Sequence, residues 1–216
     1  MSGNSFKSDW KAVFAKPSTR YAFILTILAL ATALNLFGRF LGYIESRPGT
    51  VLHDPLFDLF SAHDFNTPIF VLIYGSLITG LIFLLSKPRY LMLALQTYCI
   101  MVLFRFLAMY LTPLEVPEGI INLRDPLVFT LGTGKVITKD LFFSGHIASL
   151  TILFFTAKNK YLKRIFFALT IIVASLIFLQ KAHYTIDMLT APIFAFAAWS
   201  IAKKIDSKLF KENSVI

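Results

Sequence analysis

Tyr90-Leu91-Met92-Leu93-Ala94-Leu95-Gln96-Thr97-Tyr98-Cys99-Ile100-Met101-Val102-Leu103-Phe104-Arg105-Phe106-Leu107-Ala108-Met109-Tyr110-Leu111 carries a single formal charge, at Arg105. As a helix the run reaches about 33 Å at 1.5 Å per residue, enough for a hydrocarbon core of about 30 Å. It reads as a transmembrane segment. Working outward, further apolar runs occupy 21–44 and 67–86 before it and 142–157, 164–181 and 185–202 after it. The expected fold is all-α, a polytopic membrane protein built as a six-transmembrane helix bundle. The fourth run is the shortest and is interrupted by Ser144, His146 and Ser149.

Composition agrees. Of 216 residues, 56% are apolar, 23 are Phe and only 15% are charged, against about 25% charged in an ordinary soluble domain. A polar amino-terminal segment (1–20), one bundle domain (21–202) and a basic tail (203–216) account for the whole length, with no room for a separate soluble domain. The first run follows a basic segment without a cleavage-site pattern, and reads as a retained anchor.

The net charge of +9 raises the question of nucleic acid, but its distribution argues for topology instead. Lys7, Lys11, Lys16 and Arg20 precede the first run, Lys87 and Arg89 join the second and third, Lys158, Lys160, Lys163 and Arg164 join the fourth and fifth, and Lys203, Lys204, Lys208 and Lys211 follow the last. With six spans all four clusters fall on one side, the cytoplasmic one by the positive-inside rule. The loops 45–66 and 112–141 and the turn 182–184 then face the other way. Pro113, Pro117, Gly119, Gly132 and Gly134 mark the longest loop as irregular backbone. Cys99 is the only cysteine, which excludes an internal disulfide and a thiolate metal cluster.

Two histidines land at the non-cytoplasmic face. Phe142-Phe143-Ser144-Gly145-His146 opens a helix, where unpaired N–H groups and the helix dipole favour a phosphate and glycine allows it close to the main chain. Ser144 adds a hydroxyl donor. In His183-Tyr184-Thr185-Ile186-Asp187 a carboxylate follows the imidazole by four residues, one helical turn. An aspartate inside an apolar helix costs about 2.5–3.5 kcal/mol on an insertion scale, so a partner is expected. The plain alternative is a His–Asp bond that staples two helices. The chemical reading is that Asp187 fixes the tautomer of His183 and stabilises its imidazolium, leaving the other nitrogen to attack phosphorus.

Arg105 is an intramembrane arginine about two turns from its helix end, placed either to snorkel or to clamp a phosphate. Lys139, Asp140 and Lys181 flank the histidine motifs. No GxxxxGK loop occurs, which argues against ATP as phosphoryl donor. No metal-ligating motif stands out, so the expectation is a metal-independent histidine mechanism without cofactor.

Three motifs carry a family resemblance. Asp140-Leu141-Phe142-Phe143-Ser144-Gly145-His146, His183-Tyr184-Thr185-Ile186-Asp187-Met188 and Arg105-Phe106-Leu107-Ala108-Met109-Tyr110-Leu111-Thr112-Pro113-Leu114-Glu115-Val116-Pro117 resemble, in order, the third, fourth and second motifs of the sphingomyelin synthase branch of the type 2 phosphatidic acid phosphatase superfamily. Pro55-Leu56-Phe57-Asp58 is similar to the first. The resemblance implies a triad carried onto His146, His183 and Asp187, with Ser144, Gly145, Arg105, Asp140 and Tyr184 as the expected substrate-binding set. It implies transfer of a phospho-headgroup from a glycerophospholipid donor to ceramide or another lipid alcohol, with release of diacylglycerol. The chain departs from the branch at Lys139, where glycine is usual, at Ile147, where threonine is usual, and at Glu115, where proline is usual. Two alternatives stand beside this reading: a lipid phosphatase or phospholipase C-like hydrolase, in which water resolves the intermediate, and a non-catalytic lipid-binding or transport protein. A bacterial inner membrane with the site facing the periplasm suits the chain, a Golgi or endoplasmic reticulum membrane being the alternative. No nucleic acid partner is expected; homo-oligomerisation is left open.

Overall fold

Five of the apolar runs become helices long and apolar enough to cross a membrane. The computed structural model describes residues 3–126, 129–130, 134 and 136–211; Gly132 and the last five residues of the expected tail lie outside these. The helices are α1 (Gly3–Ala15), α2 (Pro17–Ser46), α3 (Asn66–Leu85), α4 (Pro88–Leu111), α5 (Gly145–Thr156), α6 (Lys160–Leu179) and α7 (Thr185–Lys211), with a 3-10 turn at Pro55–Leu59. Pro17 and Pro88 each occupy the first turn of their helix, where the missing N–H costs nothing. Asn159 caps α6 by accepting from the N–H groups of Tyr161 at 2.8 Å and Leu162 at 3.4 Å.

The molecule is a helical bundle with α4, α5 and α7 at its centre. α5 packs on α4, α6 and α7, and α4 packs on α2 and α7. On α7, Ala191, Ala195, Ala198 and Ala202 recur at helical spacing and are fully buried. Small side chains let helices approach closely where lipid gives no hydrophobic drive between them. Exposed Leu, Ile and Phe side chains cover the outer faces of α2, α3 and α6.

The amino-terminal segment is more than a polar leader to the first span. Phe6, Trp10 and Phe14 lie one turn apart on α1, and Trp10 and Phe14 both meet Phe23 edge-on. The Trp10 indole donates to the Leu85 carbonyl at 2.9 Å, satisfying one of the acceptors that the end of α3 leaves open. Lys87 reaches back to Asp9 at 2.8 Å. At the same end Arg89 forms a forked pair with the buried Asp206 of α7, with a closest approach of 2.8 Å. α7 continues through Lys211, so residues 203–211 of the basic tail are helical.

The fourth run is the exception. α5 has 12 residues, about 18 Å of helix, too short to cross the core alone. The 20 residues of α6 give about 30 Å. The chain covers the missing distance by entering the bundle as bent, non-helical backbone: Leu141, Phe143 and Ser144 are buried before the helix begins. Non-helical backbone at that depth is tolerated only inside protein. Here Phe143 stacks on Phe194 at 4.3 Å and the Ser144 N–H donates to the Asp187 carbonyl at 3.2 Å. The start of α5 is thereby recessed into the bundle against the start of α7.

Candidate active site

The recessed start of α5 is shaped by Arg105. Its guanidinium lies against Gly145, where an added Cβ would collide with it, and stacks on Phe37 with 4.9 Å to the ring centroid. It pairs with Asp140. Arg105 is 7% exposed, so its charge stays within the bundle and is balanced by this carboxylate instead of snorkelling to the surface. Ser144, at the N-cap position, makes no side-chain cap bond. The Ser144 hydroxyl and Arg105 Nε are both buried without a hydrogen-bond partner among the described residues.

The second histidine sits on a turn tied from several directions. Gln180 is completely buried and works in both senses: its carbonyl accepts from the Phe65 N–H at 2.8 Å and its amide donates to the Ile121 carbonyl at 3.0 Å. Lys181, in the left-handed region at φ 54°, donates to the Phe57 carbonyl at 2.6 Å and lies over the Phe60 ring at 5.1 Å. Asp54 accepts from the Thr185 N–H at 2.8 Å, holding a carboxylate at the positive end of α7. Tyr184 stacks on Phe57 and donates its hydroxyl to the Glu115 carbonyl at 3.0 Å, while accepting from the Leu52 N–H at 3.1 Å. Burial holds the Tyr184 phenol above its ordinary pKa.

These ties hold His183 beside Asp187. The two side chains are 3% and 0% exposed, and Nδ1 lies 3.4 Å from the carboxylate. That is an ion-pair distance without hydrogen-bond alignment. The same carboxylate oxygen accepts from the Tyr184 N–H at 3.2 Å, and the other has no hydrogen-bond partner among the described residues.

His146 and His183 line one cavity of about 300 Å³, together with Asp125, Arg124, Asp140 and Phe129. His146 Nε2 lies 3.2 Å from Asp125 Oδ2, and the Tyr74 hydroxyl of α3 donates to the other oxygen of Asp125. Of the residues singled out from sequence, the structure therefore brings His146, His183 and Asp140 onto one cavity, with Asp187 behind His183 and Ser144, Gly145 and Arg105 behind His146. Tyr184 is taken up in holding the outer loops and is not on the cavity wall. Asp125, Gln180 and Asp54 were not legible as site residues. Each adjoins another polar residue in a loop or turn, Arg124 beside Asp125, Lys181 beside Gln180 and His53 beside Asp54, where no periodicity distinguishes a buried partner from a solvated one.

Beside the site, Lys139 donates to Glu115 at 2.6 Å and to the Arg47 carbonyl at 2.9 Å, and Glu45 accepts from the N–H groups of Thr138 and Lys139. The Lys139 ammonium, helped by the Gly49 N–H, holds the Glu115 carboxyl below its ordinary range.

Residues 139–204 match the family model described as PAP2 superfamily C-terminal. This stretch, less than half of the chain, contains Asp140, Ser144, Gly145, His146, His183, Tyr184 and Asp187; Arg105 and Asp125 precede it. The likeness supports function of the lipid phosphatase and phosphotransferase type. No curated protein matches the chain.

Proposed function

We propose that the protein is an integral-membrane lipid phosphotransferase of the sphingomyelin synthase type, moving a phospho-headgroup from a glycerophospholipid to ceramide or a similar lipid alcohol. The observation that carries the reading is the placement of His146 and His183 on one cavity, with Asp187 buried against His183. His183 uses Nδ1 toward Asp187, which leaves Nε2 to attack phosphorus. The P–O bond to the diacylglycerol oxygen breaks as the N–P bond forms, and His146 gives its proton to the departing alkoxide. His146 then takes the proton of the acceptor hydroxyl, which attacks the phosphohistidine, breaking N–P and forming the new P–O bond.

Behind His146, off the cavity wall, lie donors without partners that a phosphoryl group entering the start of α5 would meet. The Ser144 hydroxyl is buried without a partner, and the first N–H groups of α5 have no intrahelical acceptor. By the positive-inside rule the lysine-rich helix ends face the cytoplasm and the cavity faces away from it. A periplasm-facing site in a bacterial inner membrane is the preferred setting, a lumenal site in a Golgi or endoplasmic reticulum membrane the alternative.

The test is a nanodisc assay with fluorescent ceramide and phosphatidylcholine, phosphatidylethanolamine and phosphatidylinositol donors, read by chromatography and mass spectrometry beside His183→Ala. A new phosphosphingolipid that depends on His183 is the expected result. Diacylglycerol or free phosphate without a lipid product would replace the transferase with a hydrolase. Phospholipid binding with no turnover in either protein would replace it with a binding or transport role.

A further inference from the structure

His146 is the less constrained of the two histidines, and one group on the cavity wall addresses it directly. Asp125 Oδ2 stands 3.2 Å from His146 Nε2, and the side chains are 19% and 18% exposed. The carboxylate is itself oriented: the Tyr74 hydroxyl donates to Oδ1, and the Tyr74 ring stacks on Phe70, which meets the His146 ring edge-on at 5.8 Å. His146 Nδ1 is buried without a hydrogen-bond partner among the described residues, so Nε2 is the nitrogen that faces a partner. The charged groups sharing this cavity wall are Arg124, Asp140 and His183.

We infer that Asp125 is the positioning residue of His146, holding its ring by Nε2, the nitrogen that exchanges the proton, so that each histidine of the site faces a carboxylate, His183 by Nδ1 and His146 by Nε2. The inference rests on the phosphoryl-transfer reading for its chemical meaning. In transfer the Nε2–H exchanges Asp125 for the departing alkoxide: the hydrogen bond to the carboxylate is given up, the N–H bond breaks, an O–H bond forms and neutral imidazole remains. Asp125 accepts no covalent bond and gives up no proton. It decides which nitrogen carries the proton and where that nitrogen points. The long outer loop then supplies part of the working site as well as covering it.

The test reads the imidazole directly. Protein carrying ¹⁵N-histidine is placed in nanodiscs, His146 signals are assigned by their loss in His146→Gln, and the imidazole ¹⁵N shifts are compared for wild type, Asp125→Ala, Asp125→Glu and Tyr74→Phe. Asp125→Ala is expected to lose the Nε2-protonated signature and to lower kcat by about 10–100-fold, with Asp125→Glu restoring part of both. Tyr74→Phe, which leaves the carboxylate in place, is expected to shift the signals the same way by less. Unchanged His146 signals in both Asp125→Ala and Tyr74→Phe would overturn the assignment. Shifted His146 signals in the variants, with a wild-type protein that transfers no phosphoryl group, would keep Asp125 as the partner of His146 and remove the transferase reading alone.

Discussion

The two histidines stand on unlike supports. His183 lies on a turn whose backbone and neighbouring side chains are bonded to three outer segments, through Gln180, Lys181, Asp54 and Tyr184, and its partner Asp187 comes from the helix that follows it. His146 begins a helix recessed into the bundle, with Arg105 packed beneath it and its ring facing a carboxylate from the long loop. A nucleophile must keep one geometry through two displacements, whereas an acid that becomes a base must exchange partners at one nitrogen. In the proposed reaction the more heavily tied histidine, His183, takes the first task and His146 the second.

The largest expected effect tests the rigid side. Asp187→Asn keeps the size of the side chain but removes the charge that backs His183, and headgroup transfer should fall by roughly 10³–10⁴-fold with the fold retained. Measured turnover within a factor of about ten of wild type would mean that Asp187 serves as a structural staple and that the comparison fails at its firmer end. On the His146 side, Gly145→Ala places a methyl group into the Arg105 guanidinium. The Arg105 guanidinium or the start of α5 must give way, and a misplacement of about 1 Å at the site costs about 10²-fold. The check is single-turnover chemistry measured beside lipid binding: loss of chemistry with binding kept is the expected split, and equal loss of both would place the damage in the fold.

Hydrophobic run length made the long spans legible, because twenty apolar residues have few other readings, and the His183–Asp187 spacing made half of the site legible because it is local. The short α5 was visible only as a weak run, since the non-helical stretch Leu141–Ser144 has no period to read. Lys139 and Glu115 stood out one at a time as departures from the resembled motifs, which carry glycine and proline there. The structure joins them at 2.6 Å, so two apparent irregularities are one ion pair between loop positions far apart in the chain. Asp125 depended on the same kind of tertiary closure and carried no signal of its own.

A smaller effect probes the support of His183 from a distance. Gln180→Ala leaves the Phe65 N–H and the Ile121 carbonyl without the partners that a fully buried amide supplied. A buried polar group left unpaired costs about 1–3 kcal/mol. Thermal stability should fall and transfer should drop several-fold, with hydrogen exchange of residues 179–185 rising more than that of α4. Uniform exchange across both segments would mean that the ties to the turn are redundant.

The smallest effect is confined to acid. The Glu115 carboxyl is held below its ordinary range by Lys139 first and by the Gly49 N–H second, and its side chain is about one quarter exposed (27%). A group whose folded pKa is depressed contributes stability that is fully present above its unfolded value, about 4.3, and is lost as pH falls through the folded value. Between pH 6 and 8 this pair should therefore leave the stability flat. Below about pH 4 the wild type should lose stability more steeply than Glu115→Gln, which has no charge to titrate at that position, and thermal denaturation across that range checks it. The position matters because Glu115 and Lys139 join the loop after α4 to the irregular stretch that leads into Asp140 and the recessed helix. Parallel acid curves for the two proteins would show that this stretch is held by Glu45 and the Arg105–Asp140 pair alone, which would put all the support of His146 on the arginine side of the bundle.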